Sequence, residues 1–266
     1  MDEKNNQKIG LALGSGGLRG LAHIGAIKVL LKNNIPIDYI SGASVGALIG
    51  AFLATYGEVD SLEKLILENT KELLPLFFDV GKGGLISGDK ISNFLEKSLG
   101  KIKFSETKIP LYVVSTDLIS GQPIIFSSGK IIPAVRGSIS VPIIFKPYSY
   151  QGKLLVDGGL SDPVPVNILK ENGADKIVAI NLYHKNEFKN KKFTVAKVAL
   201  RSTRIALFNL AKISVNHADL VLNPDISCAD KLKMKDYFKQ ENIKKIISIG
   251  EEETLRHLPE IKNLLI

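Results

Sequence analysis

The chain is poor in cysteine, and no apolar run in it is long enough to cross a bilayer. Cys228 stands alone among 266 residues, so no internal disulfide can form, which suits a reducing compartment. A lone cysteine of this kind also serves as a small apolar filler. No window holds the roughly 18 to 20 apolar residues that a membrane-spanning helix needs. Met1–Lys8 is polar and mixed in charge and lacks the apolar core of a signal peptide. The expected location is cytoplasmic, peripheral to the inner face of the membrane. The chain shows no internal repeat, no low-complexity tract and no linker that demands two domains.

The residues present suit a soluble globular protein: 45% are apolar and 23% charged. The length allows one α/β domain with a large core, or two small domains. The net charge of +8 predicts attraction to anionic surfaces and does not choose between nucleic acid and acidic lipid.

The pattern that organises the chain is Gly42-Ala43-Ser44-Val45-Gly46. An apolar, partly β-branched run from Ile37 ends in Gly42, and a small-residue helix follows Val45. A strand turning sharply into a helix strains the residue at the turn, and flanking glycines remove the side chains that would clash. That is the context of a nucleophile elbow with Ser44 at its apex. The plainer reading is a tight turn between strand and helix, with Ser44 merely small and polar.

Lys8–Leu13 reads as a buried first strand, followed by Gly14-Ser15-Gly16-Gly17-Leu18-Arg19-Gly20 and a helix that ends before Pro36. Strand, loop, helix, strand, helix implies a parallel sheet with helices on its faces. Helices are expected over Val59–Glu68 and Gly88–Leu99. Between them the irregular apolar segment 73–86 is either a flexible cover or a core-filling loop. Leu111–Asp117 and Pro123–Phe126 read as a hairpin around Gly121. Ile131–Arg136 reads as a short helix, and Lys153–Val156 as a strand running into Asp157-Gly158-Gly159. A helix is expected from Asp162-Pro163-Val164-Pro165 to about Glu171, then strands over Lys176–Leu182 and Asp219–Leu222. A long helix over Thr194–Val215 carries Lys197, Arg201, Arg204 and Lys212 on one face, either a solvated face or one turned to an anionic membrane. The tail is helical from about Asp236 to His257.

A serine hydroxyl needs a base to take its proton and donors to hold the oxyanion that forms. Four histidines are available. His23 lies inside the first helix, His217 just after the long one and His257 in the polar tail. Only His184, after a strand, is placed to serve. Asp157 is better placed: it ends a strand, and two glycines let backbone approach closely. A desolvated carboxylate can act as the base. The plainer reading of Asp157-Gly158 is a β-turn. Backbone N–H groups of Gly16 and Gly17, at the head of the first helix, can hold an anion. Arg19 either fixes that loop or meets a substrate anion. A dinucleotide fingerprint fits poorly, because Arg19 stands where its third glycine belongs and Asp38 begins the second strand instead of an acid ending it.

Taken in order, Gly16-Gly17-Leu18-Arg19-Gly20, Gly42-Ala43-Ser44-Val45-Gly46 and Asp157-Gly158-Gly159 resemble the motifs of patatin-like phospholipases, especially small bacterial single-domain members. Ser138-x-Ser140-x-Pro142 and Gly84-Leu85-Ile86 resemble further family elements. The resemblance spans roughly Lys8–Leu182. It implies a three-layer α/β/α sandwich with a mostly parallel sheet, a catalytic domain over 8–225, and a helical tail over 226–266 packed on the same domain. It implies a serine acyl hydrolase of phospholipase A, lysophospholipase or carboxylesterase type, with no metal and no cofactor. Ser44 is then the nucleophile, Asp157 the base, and the Gly16 and Gly17 amides the oxyanion donors. Ala43 stands where many members carry threonine. The expected partners are a lipid ester and an anionic membrane surface, with no nucleic acid. A different class of function would be a basic peripheral lipid-binding protein on an idle patatin scaffold.

Overall fold

The computed structural model describes residues 7–73, 86–184 and 194–266. Eight strands join in one sheet: β1 (Ile9–Leu13), β2 (Tyr39–Ala43), β3 (Leu111–Asp117), β4 (Pro123–Phe126), β5 (Tyr148–Tyr150), β6 (Lys153–Val156), β7 (Lys176–Ile180) and β8 (Leu220–Leu222). The helices are α1 (Leu21–Lys32), α2 (Val45–Tyr56), α3 (Asp60–Glu68), α4 (Thr70–Leu73), α5 (Asp89–Leu99), α6 (Ile131–Ser138), α7 (Asn167–Glu171), α8 (Val195–Ser214), α9 (Gln240–Arg256) and α10 (Leu258–Asn263).

The strand order is β5-β6-β3-β2-β1-β7-β8, with β4 also on β3. Strands β3, β2, β1, β7 and β8 run parallel, and β4, β5 and β6 add an antiparallel edge. Alternation along each strand feeds two cores. Leu11 and Leu13 of β1 join the larger core with α1, α2, α5, α6 and α9. Ala12, between them, joins a smaller core with α7 and α8. Helices therefore cover both faces of a mostly parallel sheet, as expected.

How β3 is shared positions the site. Val113 and Val114 have β2 on one edge and β4 on the other. Thr116 still has Pro123 of β4 on that second edge, so its other partner, Val156 of β6, occupies the edge that β2 has vacated. Because β2 is parallel to β3 and β6 antiparallel, their C-terminal ends point at each other across Ser115.

Three expectations need correction. The helix expected from Asp162 begins only at Asn167. Pro163 and Pro165 lack amide hydrogens and push Val164 out of helical geometry. Their carbonyls instead accept from the Ser15 amide at 2.8 Å and the Ser41 hydroxyl at 2.6 Å. The tail helix begins at Gln240, after a 3-10 turn over Met234–Phe238. Strand β5 was not anticipated: its turn to β6 has positive φ at Gln151 and Gly152, a two-residue hairpin geometry that Asn-Gly announces far more clearly than Gln-Gly. Most of the 73–86 segment lies outside the described residues.

Candidate active site

Ser44 follows β2 and caps α2 with φ 55° and ψ −122°, a backbone state that costs a side-chain-bearing residue about 1–3 kcal/mol. The packing around the turn holds it there. A Cβ at Gly42 would lie 2.5 Å from the Gly46 carbonyl, and one at Gly46 would lie 2.1 Å from the Leu13 carbonyl. Both glycines of the Gly-x-Ser-x-Gly pattern are thus required by close backbone approach.

The hydroxyl of Ser44 donates to Asp157 Oδ2 at 2.6 Å, and both residues are buried. The other carboxylate oxygen, Oδ1, accepts from the Gly159 amide at 2.8 Å. Burial pushes the Asp157 carboxyl up from 3.8 to about 6; the bonds from Ser44 and Gly159 oppose that rise. Gly158 sits where a Cβ would lie 1.9 Å from the Val114 carbonyl, so the Asp157 turn packs directly on β3.

The Ser138-x-Ser140 segment braces both members of the pair. Ser138 Oγ accepts the Ser44 amide at 2.8 Å and donates to the Val114 carbonyl at 2.5 Å. The Ser140 carbonyl accepts the Asp157 amide at 3.0 Å. Ser140 Oγ in turn accepts from the buried Arg136 guanidinium at 2.7 Å. Sequence reading singles out this segment and assigns it no physical task, because its bonds reach residues tens of positions away.

The glycine loop lies on the other side. It enters a 3-10 turn over Gly17–Gly20 that leads into α1, and the first amides of a helical turn have no acceptor within it. Arg19 turns back, its Nε donating to the Gly16 carbonyl at 3.1 Å and its guanidinium 5.4 Å from the Tyr183 ring centre. His23 Nε2 bonds the Gly14 carbonyl at 2.7 Å. A carbonyl can only accept, so Nε2 carries the proton. Burial lowers the His23 pKa to about 4, which keeps the ring neutral. Ser15 Oγ and Tyr183 Oη lie 2.9 Å apart, joining the loop to the end of β7. The hydroxyl of Ser44 turns to Asp157, while His23, His217 and His257 bond Gly14, Asn167 and Glu253.

From Ser44 and Gly17 a cavity of about 260 Å³ opens into the larger core. Its walls include Leu21, Leu48, Phe52, Ile91, Phe145 and Phe238. Among the described residues no group of three or more metal-ligating side chains is gathered.

Fold and site together define an α/β protein whose buried elbow serine is bonded to a carboxylate at the mouth of an apolar cavity. The chain belongs to the patatin-like phospholipase family, whose model matches residues 11–170. An uncharacterised NTE family protein of Mycobacterium tuberculosis is 33% identical over 180 residues, covering 67% of this chain and 50% of that protein. A lysophospholipase of Debaryomyces hansenii is 31% identical over 185 residues, covering 67% of this chain and 12% of its own length. A patatin-like phospholipase domain-containing protein of Caenorhabditis elegans is 30% identical over 184 residues, covering 65% of this chain and 17% of its own. The chain thus spans half the length of the mycobacterial relative and far less of the other two.

Proposed function

We propose that this chain is a lipid acyl-ester hydrolase working through a Ser44–Asp157 dyad. One observation carries the reading: a serine hydroxyl donates at 2.6 Å to a buried carboxylate at the mouth of a cavity walled by aliphatic and aromatic side chains. Such a cavity takes an acyl chain and leaves its carbonyl beside the serine.

In the first half-reaction Asp157 takes the hydroxyl proton while Ser44 Oγ attacks the ester carbon. The amides of Gly16 and Gly17 hold the oxyanion. The Ser44 amide cannot easily share that task, since it already donates to Ser138. Collapse expels the alcohol, which leaves with the proton held by Asp157, and an acyl-serine remains. In the second half Asp157 takes a proton from water, the resulting hydroxide attacks the acyl carbon, and the fatty acid departs as Ser44 regains its proton. Each oxyanion donor is worth roughly 2.7–4 kcal/mol by analogy with other acyl-transfer enzymes. The lysophospholipase among the relatives supports a phospholipid-derived substrate.

The test is hydrolysis of p-nitrophenyl acyl esters and labelling by a fluorophosphonate. Ser44→Ala and Asp157→Asn are each expected to lose hydrolysis while keeping a native circular-dichroism spectrum, and Ser44→Ala to lose the label. Full activity in Asp157→Asn would remove the carboxylate from the mechanism.

A further inference from the structure

Helix α2 leads away from the reacting pair along one wall of the cavity. Ser44 caps its N-terminal end, and Val45, Leu48 and Phe52 line the cavity at steps of three and four, which share one side of a helix. Tyr56, one turn further, lines a separate groove at the surface. Helix α5 divides in the same way, with Ile91 and Leu95 on the cavity and Lys97 and Ser98 on the groove. So does α3, with Leu62 and Ile66 on the cavity and Ser61 and Leu65 on the groove. Phe52 and Phe94 are the only described residues that line both.

Those two rings stand between unlike environments. No charged side chain belongs to the described wall of the cavity, whereas Glu58, Glu72 and Lys97 line the groove together with Ser61 and Asn69. An alkyl chain that passed Phe52 and Phe94 would leave hydrocarbon for charges and water, and the gain from burying it would stop there. The partition is held in place. Phe52 is 2% exposed, and its ring centre lies 6.0 Å from that of Tyr56. Tyr56 Oη donates to the Ser98 carbonyl at 2.6 Å, which ties α2 to α5 one helical turn past each phenylalanine.

The length of the path from nucleophile to partition is set by α2. From Ser44 to Phe52 the helix advances about 12 Å. An extended chain gains roughly 1.2 Å per bond, so about ten carbons cover that path. The volume gives the same figure. An apolar cavity of about 150 Å³ takes the six carbons of benzene. The cavity beside Ser44, at about 260 Å³, therefore takes about ten carbons on the same scale.

We propose that Phe52 and Phe94 are the specificity-determining floor of the acyl site and limit the chain it takes to about ten carbons. The proposal rests on the hydrolase reading for the identity of the ligand. Two measurements test it: kcat/KM for p-nitrophenyl esters of four to sixteen carbons, and displacement of a fluorescent medium-chain fatty acid from Ser44→Ala protein by unlabelled acids of the same lengths. In wild type kcat/KM should rise by up to about fourfold per carbon as far as about ten carbons, then stay level. Phe52→Ala and Phe94→Ala should each raise the ratio of the fourteen-carbon to the ten-carbon ester by about tenfold. Taking that ratio within each variant cancels differences in how the esters disperse. Leu48→Phe, one helical turn nearer Ser44, should move the limit to about five or six carbons. A wild-type rise that continues through fourteen carbons overturns the proposal. So does an unchanged ratio in Phe52→Ala and Phe94→Ala proteins that keep a native circular-dichroism spectrum. If the alanine variants do not fold, Leu48→Phe decides, and an unmoved limit overturns the proposal. Acids that bind Ser44→Ala protein with a ten-carbon limit, in a chain whose wild type hydrolyses no ester, would overturn the hydrolase reading and leave the floor standing. Ester hydrolysis without the limit would do the reverse.

Discussion

At the scale of single residues, Asp157 carries opposed demands. Its buried carboxyl titrates near 6 in place of 3.8. An acid whose folded pKa is raised stabilises the fold below its unfolded pKa and loses that contribution as pH rises through the folded value. At neutral pH the ionised group therefore costs the fold roughly 3 kcal/mol. Two outcomes are expected. The kcat/KM for ester hydrolysis should fall tenfold per pH unit below about 6, as the base becomes protonated. Asp157→Asn should be inactive and yet more stable than wild type at pH 7, by up to about 3 kcal/mol in urea titration. A less stable Asp157→Asn would mean that the carboxylate's bonds to Ser44 and Gly159 outweigh its desolvation. Ser44 and Asp157 are legible in the sequence because each ends a strand beside glycines, a signal contained in five residues. The bracing by Ser138 and Ser140 is not, since the partners are 94 residues away for Ser44 and 17 for Asp157. His23 is equally hidden. In sequence it is one residue of a helix, and only the fold shows its ring fixing the carbonyl of Gly14.

At the scale of elements, the contact between α1 and α9 depends on two glycines. A Cβ at Gly25 would lie 2.0 Å from the Ile247 carbonyl, and one at Gly250 would lie 2.0 Å from the Ala22 carbonyl. The helices touch backbone to backbone, and no side-chain rotation can relieve an added group. Gly250→Val should therefore destabilise the protein by about 3 kcal/mol or more, read as a lower urea midpoint. An unchanged midpoint would show that the helices can separate at little cost. Elements with strong periodicity or clear stops were readable: β1, α1, β2, β3 and α8 fall within a residue or two of their expected limits, and α2 starts where expected. The short β4, β6 and β8 were readable too, within a residue of their limits; β5 was not, since its Gln151-Gly152 turn is a weak hairpin signal, and α7 lost its first turn to two prolines whose carbonyls serve loops elsewhere.

At the scale of the whole molecule, side chains from the last forty residues reach the cavity beside Ser44. Met234, Tyr237, Phe238 and Ile243 line the cavity beside residues of α2 and α5, and Ile243, Ile246 and Ile247 lie in the larger core. A chain ending at residue 225 is expected to be insoluble or molten, and the intact chain to unfold in one transition by fluorescence and circular dichroism alike. Two separate transitions would make the tail an independent unit. Among the described residues no helix is long and apolar enough to cross a membrane. The meeting of β2 and β6 along one edge of β3 gives the site a unit of length. The spacing of hydroxyl and carboxylate is fixed by how many residues of β3 extend past its pairing with β2. It can change only in whole strand steps of about 3.3 Å. A one-residue insertion at Ser115 would overshoot hydrogen-bond reach, and no smaller adjustment is available. The pair is either in register or apart, so evolution can reshape the cavity freely while this one interval stays a whole number.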